Sequence, residues 1–423
     1  MRPVSAPRSK PPARLFFVNR YFYPDESATS RILSDLAFRL AAQGVPVAVV
    51  TSRQLYEDSN AQLPTSETLR GVDIHRIPTA GLGRSRLLGR ALDYVSFHVT
   101  VAWRLARLVR PGDIIVAKTD PPLLSVTLSH VAAWRGALLI NWLQDVFPEV
   151  ANALVPGALP SWAYRMLAAA RDRSLRRAAM NVVIGESMGT YLNRRGVDPG
   201  HVRVIPNWSD CDAVKPMESS HTATRRRLGL TGRFVVGYSG NFGRAHEFET
   251  LIAAARLLTD DPEVTFLMTG AGAKNAPLRQ AVERAGLNSF RFQGYQPAEM
   301  LSDTMAAADV HLVSLLPSIE GLVLPSKVYG ILAAGRPVLF IGDPDGEIAR
   351  LISLHDCGIT AAVGDGRFLA TALKALQDDP KRRAAMGANA RQLALTRFTA
   401  DRAASDWLEM LTRIDSLRPA VTS

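Results

Sequence analysis

Apolar residues in this chain gather into short, nearly unbroken runs, separated by stretches with helical spacing. Residues 14–19, 45–51, 113–117, 137–143, 181–184 and 202–205 are such runs in the first half. Residues 234–238, 264–269, 290–293, 310–316 and 338–341 repeat the pattern in the second. A run that is apolar at nearly every position predicts a parallel strand covered on both faces. Between the runs the period is helical: Ile32, Leu33, Leu36, Ala37 and Leu40 share one face, and Gly44 ends that helix. Further on, Pro325 and Ser326 start a helix that Gly335 and Pro337 stop. Strand and helix alternating through both halves predict an α/β protein with two doubly wound, Rossmann-like domains. These span residues 14–205 and 231–397, joined by a polar, irregular linker at 206–230 that contains Pro216, Ser219 and Ser220. An amphipathic helix is expected at 398–417. Residues 1–13 carry charge and proline without an apolar core, and read as a disordered tail rather than a signal peptide.

A chain of 423 residues, 47% hydrophobic, has room for two such cores. Its charge is unevenly placed. Residues 1–205 carry 26 Lys and Arg against 15 Asp and Glu, whereas residues 206–423 carry 24 of each, so the formal excess of +11 lies in the first half. Segments 81–110 and 162–177 interleave Arg84, Arg86, Arg165, Arg171, Arg173, Arg176 and Arg177 with Leu, Trp, Tyr and Met. A basic half of this kind suits an anionic membrane, nucleic acid or an anionic substrate; helices whose arginine face is merely solvated fit as well. No zinc-finger, RNP-like or helix-turn-helix signature is found, which sets nucleic acid aside. Cys211 and Cys357 supply neither a disulfide framework nor a metal pattern, consistent with a reducing cytosol. No uninterrupted apolar run reaches the roughly 18 residues of a spanning helix; the nearest, 123–143, contains His130 and Arg135.

Open α/β sheets bind ligands at the carboxyl ends of their strands, so the loops there carry the candidate chemistry. After the run 310–316, Glu320 lies in the loop and Lys327 in the first helical turn. An acceptor for sugar hydroxyls thus stands near a cation and a helix N-terminus, which suit a diphosphate. An ordinary crossover with a solvated Glu and Lys has the same spacing. After 234–238, residues Ser239, Gly240, Asn241, Gly243, Arg244 and His246 form a glycine-rich turn whose N–H groups can approach a phosphate, with Arg244 adding charge. His246 suits a structural role as well as a sugar contact. Gly270 and Gly272 follow the run 264–269, and Gly294 and Tyr295 follow 290–293. In the first half, Asp145 and Glu149 lie just past the run 137–143; Asp145 is the functional candidate, and Glu149 reads as a solvated loop acid. Ser27 and Thr29 are small residues at a helix start, able to cap it or to meet an anion. The opening βαβ unit lacks Gly-x-Gly-x-x-Gly, which argues against a dinucleotide enzyme. Asp343-Pro344-Asp345 matches an Asp-x-Asp metal motif, but Pro344 fixes a turn there and no metal is assigned.

The segment EGLVLPSK…AAGRPV, residues 320–327 and 333–338, resembles the donor site of the family 4 (group 1) retaining glycosyltransferases, which have the GT-B fold. Within them it is similar to the bacterial branch that builds O-antigen, capsule and colanic-acid-type polysaccharides, as is YFYPDESATS in the first loop. The resemblance implies two domains facing a cleft, a C-terminal helix crossing back to the first domain, and a linker starting at Pro206-Asn207. It implies hexosyl transfer from a nucleotide sugar, with retention and with neither metal nor cofactor. Lys327 and Arg244 would stabilise the departing diphosphate and Glu320 would orient the sugar; with Asp145 these are the expected catalytic side chains. Gly321, Leu322, Val323 and Ser326 join the glycine-rich loops in binding the donor, and the loop of Gly294 and Tyr295 would cradle the nucleobase. Tyr23, Ser27 and Thr29 would face the cleft from the acceptor side. There is one departure: Gly330 stands where the family carries a second Glu that holds the ribose, and the spacing from Glu320 is two residues longer. The basic, apolar first domain is expected on an anionic membrane at its cytoplasmic face, meeting a lipid-linked saccharide acceptor. Another GT-B enzyme, such as a nucleotide-sugar epimerase or a phosphorylase, and a non-catalytic GT-B-like binding protein stay open.

Overall fold

A computed structural model describes residues 13–82, 87–219 and 222–416. The tail expected at the N-terminus, apart from Ala13, and Arg84, Arg86 and Ser220 lie outside the described residues.

The first sheet has eight strands: β1 (Leu15–Val18), β2 (Val47–Ser52), β3 (Ser66–Leu69), β4 (Val72–Ile77), β5 (Ile114–Ala117), β6 (Leu138–Trp142), β7 (Met180–Val183) and β8 (Val202–Val204). Their order is β3-β4-β2-β1-β5-β6-β7-β8, parallel except for β3. The unbroken apolar runs have a simple cause here. Leu15 and Phe17 of β1 enter one core while Phe16 and Val18 enter another, because helices cover both faces. Those helices are α1 (Ala28–Ala42), α2 (Leu87–Leu108), α3 (Leu124–Arg135), α4 (Glu149–Leu154), α5 (Ser161–Arg177) and α6 (Glu186–Arg194).

The second sheet is wholly parallel, in the order β11-β10-β9-β12-β13-β14. Its strands are β9 (Phe234–Ser239), β10 (Val264–Thr269), β11 (Phe290–Gln293), β12 (Val310–Ser314), β13 (Val338–Gly342) and β14 (Gly358–Ala362). With it go α7 (Ala223–Leu228), α8 (Glu249–Leu257), α9 (Asn275–Arg284), α10 (Leu301–Ala306), α11 (Lys327–Ala333), α12 (Glu347–His355), α13 (Gly366–Asp378) and α14 (Pro380–Arg397). The last helix, α15 (Ala400–Ser416), packs on the first sheet: Trp407 is buried against Phe17 and Trp142, at 5.8 and 5.0 Å between ring centroids.

Residues 206–230 are less irregular than their composition suggests. Trp208 stacks on Trp142 at 6.4 Å and donates its indole N–H to Asp35 (2.6 Å). Thr222 caps α7, within which Arg225 is buried against Asp309 (2.5 Å). Prolines and serines report local turn preference, whereas these residues are held by partners far along the chain. The β3–β4 hairpin and β14 were not legible as apolar runs, because β3 is half exposed and β14 is short and begins with glycine.

The basic segments are not simply helices with a solvated arginine face. Helix α2 is anchored by Asp93, buried with Arg20 at 3.1 Å, and turns Phe97, Val101 and Leu105 inward. Its outward face is not arginine but an apolar stripe: Leu88, Leu92, Val95, Val99 and Trp103 are 54% to 80% exposed. Their spacing of three and four keeps them on one side of the helix. Arg107 stacks on Trp103, 3.3 Å from the ring centroid. On α5, Trp162 and Met166 also face outward, with Arg165, Arg173, Arg176 and Arg177 exposed beside them. Arg171 is not part of that surface. It is buried, bonded to Glu149 (2.5 Å) and Asp172 (2.8 Å), which also removes Glu149 from the solvated loop acids. A buried carboxylate needs such a partner. Among the described residues no helix is long and apolar enough to cross a membrane.

Candidate active site

Loops from the carboxyl ends of β9, β10 and β12 meet on the second domain. Backbone bonds stitch the first two together: Gly240 donates to Thr269 O (3.0 Å) and Phe242 to Ala271 O (2.8 Å). Gly270 and Gly272 permit this approach. Both have strongly positive φ (129° and 143°), and a Cβ would lie 2.0 Å from Gly240 O at the first and 2.3 Å from Asn241 Oδ1 at the second. The loop after β9 is longer than a tight strand-to-helix turn, since α8 begins only at Glu249. Asn241 and Arg244 are exposed on it, and Ser239 and Gly243 are half-buried.

Lys327 projects from the start of α11 against Gly240, whose Cβ position is 3.7 Å from the lysine Cε. Its ammonium lies 3.7 Å from the Tyr238 ring centroid, bonds the Tyr238 hydroxyl, and stands 3.3 Å from His246 Nε2. The Tyr238 hydroxyl in turn donates a hydrogen bond to Asn241 O (2.7 Å). His246 Nδ1 donates to Ser314 O (2.6 Å), which leaves Nε2 as the acceptor for Lys327. Burial, and then the lysine charge, push the His246 pKa down to about 3, so the ring is neutral near pH 7. Burial also lowers the Lys327 pKa well below the ordinary lysine range. Both nitrogens of His246 are engaged, which favours the structural role, holding Lys327, over a sugar contact. Two of the three ammonium protons are directed at Tyr238 and His246, and one is left for a ligand.

Glu320 is half-buried, and its Oε1 accepts from the backbone N–H of Glu347, the first residue of α12 (2.9 Å). The following residues cross to the first domain: Val146 N donates to Leu322 O (2.9 Å), and Asp145 pairs with Val323 in an antiparallel bridge. Gly321 abuts Ser187 O, 3.3 Å from its Cβ position. Ser326 is exposed and makes no side-chain cap, contrary to the capping expected of it. Gly330 is not a steric necessity; a Cβ there would meet only Met305 Cε at 4.0 Å. Asp343 accepts from Asp345 N (3.0 Å), the turn foreseen around Pro344. Gly294 and Tyr295 lie on an exposed loop, with the Tyr295 hydroxyl reaching Ala271 O at 3.4 Å.

Across the cleft the sequence reading missed Lys118, at the end of β5. It is buried over Trp142 (4.4 Å to the ring centroid) and donates to Thr29 O (2.9 Å). Burial lowers its pKa to about 7, against the pull of Asp120 and Asp145. Burial, and then Asp120, raise the Asp145 pKa to about 6, opposed by a Thr119 hydrogen bond and by Lys118. The acceptor-side loop is braced rather than free. Ser27 bonds the Asp25 carboxylate through both its N–H (2.9 Å) and its hydroxyl, so it caps nothing in α1. Tyr23 O accepts from Arg76 (2.9 Å), and the Tyr23 ring is 41% exposed. A lysine closing an apolar run in KTDPP was the signal available for Lys118. For Glu347 there was none beyond its place at a helix start.

Two α/β domains whose strand ends face one another across a cleft define a fold of GT-B type. Comparisons with known proteins agree. Residues 27–208 match the glycosyl transferase 4-like domain and residues 220–393 the glycosyl transferases group 1. The chain belongs to the group 1 glycosyltransferases. It is 26% identical to the glycosyltransferase WbjE of Pseudomonas aeruginosa, over 85% of this chain and 88% of that one. It is 27% identical to WcaI of Escherichia coli strain K12, a glycosyl transferase named for colanic acid biosynthesis, over 78% and 83% respectively. Anabaena Alr3699/HepE in complex with UDP-glucose superposes with a TM-score of 0.71 at 18% identity, covering 95% of this chain and 99% of that one, a likeness of fold.

Proposed function

We propose that the protein moves a hexosyl group from a nucleotide sugar to a lipid-linked saccharide during synthesis of a bacterial cell-surface polysaccharide, with retention, at the cytoplasmic face of the membrane. The observation that carries the reading is Lys327, a desolvated ammonium held by uncharged partners beside glycine-lined loops. Charge that builds on the departing diphosphate would be met there, in a site where electrostatic contacts are strong. Arg244, exposed on the neighbouring loop, adds a second cation. Glu320 would take a sugar hydroxyl with the oxygen that α12 does not use, and Asp145 would face the acceptor. The sugar's bond to the diphosphate breaks, a bond to the acceptor oxygen forms, and the acceptor hydroxyl gives up its proton, so the nucleoside diphosphate and a proton are released. The UDP-glucose bound by HepE and the biosynthetic role in WcaI's name favour this substrate class.

The exposed apolar stripe of α2, with Trp162 and Met166 of α5 and their arginines, favours docking on an anionic membrane. Such surfaces attract about 1 kcal/mol per nearby Lys or Arg, and buried apolar side chains add to it. A panel of UDP-, GDP- and dTDP-sugars in a thermal-shift assay, followed by transfer to membrane extract, tests the donor reading; no shift and no transfer with any donor would end it. Flotation with phosphatidylglycerol vesicles tests the docking. Binding should be weak on phosphatidylcholine, decline with salt, and fall when Leu92, Val99 and Trp103 become Ser. Protein left in the soluble fraction at low salt would point instead to a soluble acceptor.

A further inference from the structure

Glu347 belongs to no motif noted in the sequence, yet it joins the two domains beside the candidate site. Its backbone N–H holds Glu320 Oε1 (2.9 Å). Its carboxylate crosses the cleft to the first turn of α6, accepting from Glu186 N and Ser187 N, each at 2.9 Å. One turn later Arg350 donates to Ser187 Oγ (3.0 Å). A carboxylate is well placed at a helix N-terminus, where unpaired N–H groups and the helix dipole both favour it. Two bonds to one carboxylate also fix angle as well as distance. The contact depends on Gly185: a Cβ there would lie 2.4 Å from both Glu347 oxygens. The backbone at Gly185 is extended (φ −162°, ψ 158°), so alanine fits its conformation and only Glu347 stands in the way.

We propose that Glu347 is a positioning residue of the transfer reaction. It ties α6 of the first domain to the loop of Glu320, so that donor sugar and acceptor site keep one separation. This rests on the transferase reading above. Helix-to-carboxylate contacts run without a gap from Glu320 through α12 and Glu347 to α6, and Gly321 touching Ser187 O is a second point on the same seam. A group that fixes how two bound reactants approach acts on turnover, and leaves the affinity of the site that binds one of them unchanged.

Two variants reach the contact from opposite sides. Glu347→Gln keeps the shape but can accept from only one of the two N–H groups. Gly185→Ala keeps every donor and acceptor but removes the space. Each should lower kcat at least tenfold while the Kd for nucleoside diphosphate stays within twofold. Because both break one contact, the double variant should be no slower than the slower single one. Hydrogen exchange at the Glu186 and Ser187 amides should quicken at least tenfold in both, in the whole protein and without substrate. Wild-type kcat in both variants, nucleotide affinity falling in step with kcat, losses that multiply, or unchanged exchange at both amides would overturn the proposal. Because exchange is read without turnover, wild-type protein that transfers nothing would end the transferase reading and leave the seam itself decided.

Discussion

One lysine on each domain stands beside the cleft. Lys118 directly follows β5 and Lys327 opens α11, yet both are desolvated and both lie over an aromatic ring. Their neighbours differ. Lys118 faces Asp120 and Asp145, so its charge is answered from within the protein. Lys327 faces a phenol and a neutral imidazole, which orient the ammonium without answering it. One lysine therefore organises an acid, and the other is ready for an anion from outside. The difference supports the proposed division, with acceptor chemistry in the first domain and diphosphate chemistry in the second.

Substituting the two lysines separates these roles most sharply. Lys327→Ala should cut turnover by about 10²-fold or more, the scale of one lost transition-state contact. Steady-state rates within threefold of wild type would remove the diphosphate role. Lys118→Met should instead act on Asp145. Lys118 is one of the groups that hold the Asp145 pKa down, so without it the value should rise further above about 6. Activity that needs the carboxylate is lost as pH falls through that pKa, so the acid limb of the kcat/KM profile should move upward. A carbon-13 carboxyl titration gives the same shift without activity, and an unmoved Asp145 would dissolve the contrast.

Smaller effects test how Lys327 is held. His246→Ala removes one of its acceptors and should weaken nucleoside diphosphate binding about tenfold, roughly 1.4 kcal/mol, by calorimetry. An unchanged Kd would show that Tyr238 suffices. Arg244 is exposed, and a contact screened by water is worth less than about 1 kcal/mol, so Arg244→Ala should cost donor affinity about threefold and acceptor affinity nothing. A chelator should leave the rate unaltered; strong inhibition would return Asp343 and Asp345 to consideration.

The parts of the site that were legible are those written in local sequence. Lys327 could be placed at a helix start because Pro325 precedes it and an apolar run comes before that. Gly270 and Gly272 were recognisable after β10 because only glycine combines positive φ with such close backbone approach. His246 was visible but its role was not, since nothing in GRAHEF says that the ring will lie between Ser314 and Lys327. The outward face of α2 was not legible for a related reason. Arginines and leucines alternate along 81–110, and which of them face water depends on Asp93 meeting Arg20, 73 residues away.

The sequence by itself determined the parallel strands of the two sheets and the loops at their carboxyl ends. Runs apolar on both faces and helices with a single apolar side have few ways to bury those surfaces. Only the tertiary structure decided which distant side chains meet, within the second domain and across the cleft. Lys327 meets Tyr238 and His246 from 89 and 81 residues away, and Glu347 meets Ser187 from 160. No periodicity encodes such pairs. The lysine pairs follow from how the loops of the second domain pack, and the Glu347 pair from the angle at which the two folded domains meet, to which Trp407 of α15 against Trp142 contributes.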